Sequence, residues 1–311
     1  MADNRQNAQL ANSQQISDKS AENVVIDEEK QITVNGKHYK LKEELETVLV
    51  MGVDDSDVQQ DTDTFLNSNQ ADFLLLIVVD HSTKSYTSVA LNRDTMTKVP
   101  VLGVDGFFIE WKEEQLALAH TYGSGLRDSC ENTVWAVSEL LYQVPIEHYT
   151  ALSMPAIGLA NDAVGGVTVT IDDDFGDTDP TLVKGETIKL NAEQAEHFVR
   201  SRKGVSDQTN LNRMSRQKTY MSAWHKLALE EINKDSSFIL TLLTLVSDYM
   251  VSDMTINELS DFANFMSEYT DNGVIDTKGE AVKGEEYMEY YVDEQDLQQI
   301  VLNLFYDQVE Q

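Results

Sequence analysis

Positive charge is what this chain lacks most for its size. Its 311 residues carry 23 Lys and Arg against 54 Asp and Glu, for a formal net charge of −31. Broad contact with nucleic acid or anionic lipid is thereby disfavoured, because phosphate backbones reward a spread of Lys and Arg. Cysteine is nearly absent: the single Cys130 excludes an intramolecular disulfide and a thiolate zinc cluster. The six histidines (His38, His81, His120, His148, His197, His225) show no HExxH or paired ligand spacing, which argues against a histidine metal site. Long apolar runs are missing too. The best, Val48–Val53 and Phe73–Val79, are strand length and far short of the ~20 residues of a membrane span. The N-terminus has no basic-plus-apolar leader pattern.

What is there divides into an Asn-, Gln-, Ser- and Asp-rich start and a longer region with ordinary apolar content. Residues 1 to about 30 have almost nothing to bury and read as disordered or as a linker. Order is expected from Gln31, with a hairpin about Asn35-Gly36. Thr47–Val53 and Phe73–Val79 are near-continuous apolar runs, as in strands covered on both faces. Ser85–Leu91 follows after a short polar stretch, so the second and third strands should form a hairpin. Helices are expected over Glu131–Tyr142, over Pro155–Ala163 (proline first, Gly165-Gly166 after) and from a capping box, Asn191 with Gln194, to about Val199. Others should run over about Asn212–Ile232, Phe238–Tyr249, Ile256–Tyr269 and Glu294–Gln308, with a strand at Val167–Ile171. The mixture specifies α/β or α+β with one principal sheet.

Against the acidic background, Arg200, Arg202, Arg213 and Arg216 fall close together. Arginine is always protonated and forked to grip phosphate bidentately. A solvated helix face with ordinary ion pairs would need the same residues, since the chain offers carboxylates in plenty. On the long helix Arg213 and Gln217 are i,i+4, while Met214, Met221 and Trp224 lie on other arcs and should pack in the core. Arg200 and Arg202 follow the preceding helix and point one way if their segment is extended. Asp54 closes the first strand, Asp72 opens the second and Arg93 follows the third. If the first strand runs parallel to the third, all three share one rim of the sheet, where ligand sites on open sheets lie. Paired carboxylates with few histidines suit Mg²⁺ shared with a substrate phosphate. Carboxylates beside turns are also common for purely local reasons, so the rim is a conditional expectation.

Several ordered segments carry a family resemblance. They are Met51-Gly52-Val53-Asp54, the Asp72 strand start, Arg93-Asp94-Thr95, and Ala163-Val164-Gly165-Gly166-Val167-Thr168-Val169. Leu190-Asn191-Ala192-Glu193-Gln194-Ala195, Val199-Arg200-Ser201-Arg202 and Asn212-Arg213-Met214-Ser215-Arg216-Gln217 complete the set. The chain resembles the LytR-CpsA-Psr family of bacterial cell-wall phosphotransferases. The resemblance implies a single α-β-α sandwich with a central mixed sheet over residues 31–311, including a C-terminal helical extension. It implies transfer of a glycopolymer, such as teichoic acid or capsule, from a polyprenyl-pyrophosphate carrier to peptidoglycan. The domain would sit at the extracellular face of the bacterial cytoplasmic membrane, held by a transmembrane anchor that this sequence does not contain. Carried over by position, Asp54 and Asp72 would bind Mg²⁺. Arg93, Arg200, Arg202, Arg213 and Gln217 would bind the pyrophosphate. Arg93 and Asp94 would be the catalytic pair, with Asp94 orienting Arg93 or acting as a base.

Two positions depart from the family pattern: Gln70 stands where arginine is usual, and Asn92 where proline is. Loss of a cation there raises two rivals, a pyrophosphatase that uses water as acceptor and a protein that binds the lipid pyrophosphate without turnover. A transcription regulator is disfavoured by the charge and by the lack of a helix-turn-helix with a basic recognition helix.

Overall fold

The computed structural model of the chain describes residues 31–55, 67–207 and 209–309. The expectation for residues 1 to about 30 lies outside them. The strands are β1 (Gln31–Val34), β2 (Lys37–Leu41), β3 (Leu45–Val53), β4 (Ala71–Asp80), β5 (Ser85–Leu91), β6 (Met96–Leu102), β7 (Phe108–Gln115) and β8 (His148–Ser153). They continue as β9 (Thr168–Thr170), β10 (Thr187–Lys189), β11 (Met250–Ser252), β12 (Thr270–Asp276), β13 (Gly279–Lys283), β14 (Met288–Val292) and β15 (Tyr306–Val309). The helices are α1 (Arg127–Leu140), α2 (Pro155–Ala163), α3 (Ala192–Arg200), α4 (Asn210–Lys234), α5 (Phe238–Val246), α6 (Ile256–Glu268) and α7 (Glu294–Phe305).

The principal sheet is mixed, in the order β11-β8-β3-β4-β5-β12. β3, β4 and β5 form an antiparallel meander, β8 joins β3 and β12 joins β5 in parallel, and β11 closes the β8 edge antiparallel. Because successive side chains of a strand leave opposite faces, the apolar run of β4 feeds two layers. Leu74, Leu76 and Val78 enter a core with Ala136 and Val137 of α1 and Leu297, Val301 and Phe305 of α7. Val79 and the partly buried Ile77 face Leu259 and Phe262 of α6, with Val48 and Tyr86. Each fully buried leucine contributes roughly 1.5–3 kcal/mol relative to exposure. The result is an α-β-α sandwich. A third core, holding Val167, Ile171, Phe175, Phe198 and Tyr220, joins the β9–β10 hairpin to α3 and α4.

Local chemistry sets the element ends. Asn35 and Gly36 take positive φ (52° and 74°) and turn β1 into β2. Asn191 and Gln194 form the reciprocal capping box that opens α3. Thr209 caps α4 by accepting from the Asn212 amide. The expected terminal helix stops at Phe305. Tyr306–Val309 instead runs antiparallel beside β2, with Tyr306 opposite Leu41. The β6–β7 hairpin, between the third strand and α1, was not among the expected elements. Its strands carry Lys98, Lys112, Glu110, Glu113 and Glu114, and the short apolar stretch Val99-Pro100-Val101-Leu102 is broken by a proline, which demotes it as a strand. Among the described residues no helix is long and apolar enough to cross a membrane.

Candidate functional site

β3 and β5 each run antiparallel to β4 and therefore parallel to each other. That orientation brings the ends bearing Asp54, Asp72 and Arg93 to one rim, the condition set out from the sequence. A bulge sharpens it. Gly52 opposes Phe73 and Val53 opposes Ala71, so Asp72 is the extra residue, and a bulge re-aims such a side chain. Gly52 is needed at this approach, since a Cβ there would lie 2.9 Å from the Phe73 Cβ.

At the rim two guanidiniums hold Asp72. Arg93 Nη1 donates to Asp72 Oδ1, and Arg213 Nη1 donates to Oδ2 at 2.8 Å. Arg93 also donates Nε to Asp94 Oδ1 (3.2 Å) and Nη2 to Gln70 Oε1 (2.6 Å). Arg213 donates Nε and Nη2 to Asn210 Oδ1, at 3.1 and 2.6 Å. Asn210 in turn donates to Asn92 Oδ1 at 2.6 Å, and the same oxygen accepts the Asp94 amide at 3.0 Å. Both departures from the family pattern, Gln70 and Asn92, thus serve as neutral acceptors within the network. Gln115 donates to Asp94 Oδ1 (3.0 Å) and to the Met288 carbonyl (2.7 Å), and the Tyr290 amide donates to the Asp94 carbonyl (2.9 Å). The β13–β14 hairpin is therefore docked on the residue next to Arg93. Asn210 and Gln115 carry no mark in the sequence that separates them from other amides; only the fold brings them to Asn92 and Asp94.

Burial holds the Arg93 pKa down at about 10, with repulsion from Arg213 adding to it. The same burial, with Arg202 nearby, puts Arg213 at about 10. Both remain cations at neutral pH.

The four clustered arginines separate by environment. Side-chain accessibility is 3% for Arg213 and 7% for Arg216, but 30% for Arg202 and 44% for Arg200. Arg200 is the last residue of α3 rather than part of the extended segment after it. It pairs with Asp54 (2.6 Å) and Glu196 (3.3 Å). Arg202 reaches Asp94 only at 4.0 Å, the loosest pairing of the set. Arg216 is bound by protein: Nε donates to the Phe198 carbonyl (2.9 Å), Nη1 to Asp173 (2.5 Å) and Nη2 to the Ser201 carbonyl. Its guanidinium also lies over the Phe175 ring, 5.3 Å from the centroid. Gln217 is buried and donates to the Val199 carbonyl at 3.1 Å. Arg216 and Gln217 thus fasten the backbone that leads to Arg202, through the carbonyls of Phe198, Val199 and Ser201.

Behind the rim lies a cleft between α4 and the β4–β5 face. Phe73, Leu75 and Ala90 form its floor and Met214 and Met221 its wall, with Asp72, Arg93 and Gln217 at the mouth. The expectation that both methionines are core residues is thereby corrected. They are half-buried on the cleft, because the arc carrying them faces the sheet across a gap. Trp224 does pack, against the third core, and donates Nε1 to the Ala160 carbonyl at 2.8 Å. The cleft is narrow as folded and partly open to solvent, with a free volume of about 10 Å³, roughly one water.

Among the described residues no group of three or more His, Cys, Asp or Glu is placed to hold a metal. Asp54 and Asp72 end at the same rim, and both carboxylates are paired with arginine, Asp54 with Arg200 and Asp72 with Arg93 and Arg213.

Comparison with known proteins agrees with this architecture. Residues 8–305 match the LytR_cpsA_psr family. An Enterococcus faecalis protein, the polyisoprenyl-teichoic acid–peptidoglycan teichoic acid transferase TagU, is 26% identical over 248 residues, 79% of this chain and 72% of that protein. The solved structure of TagT bound to LIIa-WTA superposes with a TM-score of 0.62 at 21% identity, over 84% of this chain and 90% of that one. A Streptococcus agalactiae structure gives 0.66 at 22%, over 84% and 87%. At such identities the solved structures establish a common fold.

Proposed function

The chain belongs to the LytR_cpsA_psr family, and from that premise we propose that it is a phosphotransferase moving a glycopolymer from a polyprenyl-pyrophosphate carrier to peptidoglycan. The observation that carries the reading is the meeting of an apolar cleft with an arginine rim, since Asp72 and Arg93 belong to both. A pyrophosphate with an apolar tail has that same division: charge at one end, hydrocarbon at the other. A lipid-linked donor and a wall acceptor place the reaction at the extracellular face of the bacterial cytoplasmic membrane.

The donor's pyrophosphate lies along Arg93, Arg200, Arg202 and Arg213. Arg200 and Arg202 are exposed enough to swing toward it, whereas Arg93 and Arg213 are fixed by their amide and carboxylate partners. The prenyl chain enters the cleft by displacing Met214 and Met221, whose unbranched side chains adapt at low cost. The acceptor hydroxyl oxygen forms a bond to the phosphorus that carries the glycopolymer. The bridging P–O bond breaks, the lipid monophosphate leaves with the electron pair, and the hydroxyl proton passes through water to that departing phosphate. Arginines already in place stabilise the charge that grows on that leaving group, with no reorganisation at the moment of reaction. Asp94 acts as the orienter of Arg93, because its Oδ1 already accepts from Arg93 and Gln115. Gln217 acts on the ligand through Val199–Arg202, which it fastens. Asp54 and Asp72 would hold Mg²⁺, which neutralises phosphoryl oxygens when bound.

Calorimetric titration with a C20 isoprenyl pyrophosphate, with and without Mg²⁺, tests this reading on the wild type and on Arg202→Ala. Binding that strengthens with Mg²⁺ and collapses in the variant supports it, and turnover of a lipid-linked glycan would then follow. No binding under either condition refutes it.

A further inference from the structure

The rim is electrically balanced as folded. Arg93, Arg200, Arg202 and Arg213 are matched by Asp54, Asp72, Asp94 and Glu196, each within 4.0 Å of an arginine. Four cations against four anions leave no surplus to attract a pyrophosphate. The two most buried of these cations, Arg93 and Arg213, share one counter-ion. Asp72 offers them one oxygen each, so its carboxylate fills the position between two guanidiniums that suits a phosphate.

We propose that Asp72 is an internal stand-in for the ligand anion, and that Arg93 and Arg213 become available to a phosphate only when a divalent cation draws Asp72 away. Anion and cation binding are then coupled through one side chain: each favours the other because each takes one side of a pair that must part. The coupling has a physical source. When Asp72 leaves, Arg93 keeps Asp94, but Arg213 has no second carboxylate among the described residues, and a buried charge left unpaired is strongly destabilising, so the site needs a replacement anion. Among their remaining partners the amides of Gln70 and Asn210 orient them without neutralising them, and of the two Asp94 stays with Arg93 alone, at 3.2 Å. The competing arrangement keeps Asp72 permanently paired and leaves ligand binding to Arg200 and Arg202 alone.

The inference rests on the reading that pyrophosphate binds at this rim, and the test separates the two. Inorganic pyrophosphate is titrated by calorimetry into wild type and Asp72→Asn, in chelator and in MgCl₂. The expected result is counterintuitive. Removing an acid that would hold metal should tighten metal-free pyrophosphate binding at least about tenfold, and should reduce the Mg²⁺ enhancement of wild type to less than about threefold. Wild-type binding in Mg²⁺, together with a metal-free Asp72→Asn affinity no better than wild type, overturns the inference and leaves the site reading intact. No wild-type binding in either condition removes both. If Asp72→Asn does not fold, Arg213→Met asks the reciprocal question with MgCl₂ alone. With one of its two arginines gone, Asp72 should bind Mg²⁺ at least about fivefold tighter than in wild type. Unchanged or weaker Mg²⁺ binding overturns the inference.

Discussion

Arg216→Ala is expected to damage the fold at the segment that carries Arg200 and Arg202, not to remove a ligand contact. The guanidinium makes three charge-assisted bonds, to the Phe198 carbonyl, the Ser201 carbonyl and Asp173, and covers Phe175. Bonds to a charged group are worth roughly 1.5–3 kcal/mol each, so their bare sum is large. Part of it returns on deletion, because a buried guanidinium no longer has to be desolvated, and burial indeed lowers the Arg216 pKa. What remains is two stranded carbonyls and a partly buried Asp173 without its partner, for a net loss of about 3–5 kcal/mol. In a chain of this length that corresponds to a fall in Tm of roughly 5–8 °C. Urea denaturation followed by tryptophan fluorescence measures the loss. Arg202→Ala is the contrast: stability within about 0.5 kcal/mol, since its one ion pair is long and accessible. Its isoprenyl pyrophosphate affinity should fall about ten- to hundredfold, the value of one charge-assisted phosphate contact. If Arg216→Ala lost less than about 1 kcal/mol while ligand binding vanished, Arg216 would be a ligand residue and not a structural one.

Met221→Phe should narrow the cleft, weakening a C20 isoprenyl pyrophosphate about tenfold or more while leaving inorganic pyrophosphate within about twofold; an equal fall for both ligands would mean that the tail lies elsewhere. His120 is fully buried, donates Nδ1 to the Asn69 carbonyl at 2.8 Å, and burial holds its pKa below the usual 6.5. The unfolded chain therefore takes up that proton first, so the stability from neutral His120 is complete above pH 6.5 and declines below it. The slope should reach up to about 1.4 kcal/mol per pH unit and flatten in His120→Asn, as read from denaturation midpoints between about pH 5 and 7.5. Gly166 holds φ at +95°, and a Cβ there would meet the Leu190 carbonyl at 2.9 Å. Gly166→Ala should cost about 1–3 kcal/mol by thermal melt, and a neutral outcome would contradict that crowding.

Much of this was legible in the chain because it is local. The apolar runs of β3 and β4, the Asn191–Gln194 box and the Asn35-Gly36 turn each encode their structure within a few residues. The rim needed only one further fact, that β3 and β5 run parallel. What could not be read is what depends on partners far away. Arg213 and Arg216 look alike on one helix, yet Asp72 and Asn210 hold the first, while Phe198, Ser201 and Asp173 hold the second. Met214 and Met221 have a core pattern whether or not the opposite wall touches them. The β6–β7 hairpin escaped notice because charged residues dominate its solvent side, and the parallel addition of β12 beside β5 leaves no periodic trace.

The pairing of β15 with β2 has a consequence for how the molecule is made. The two strands lie about 265 residues apart in the chain, and a contact at that separation is among the last a growing polypeptide can form, after most loop-closure entropy has been overcome. Until Tyr306–Val309 emerges, β2 is an edge with its backbone groups unsatisfied on one side. The β12 strand sets a similar delay on β5, and the β13–β14 hairpin on Asp94. The arginine rim therefore receives its last supports, from Met288 to Gln115 and from Tyr290 to Asp94, only when the final fifth of the chain is present.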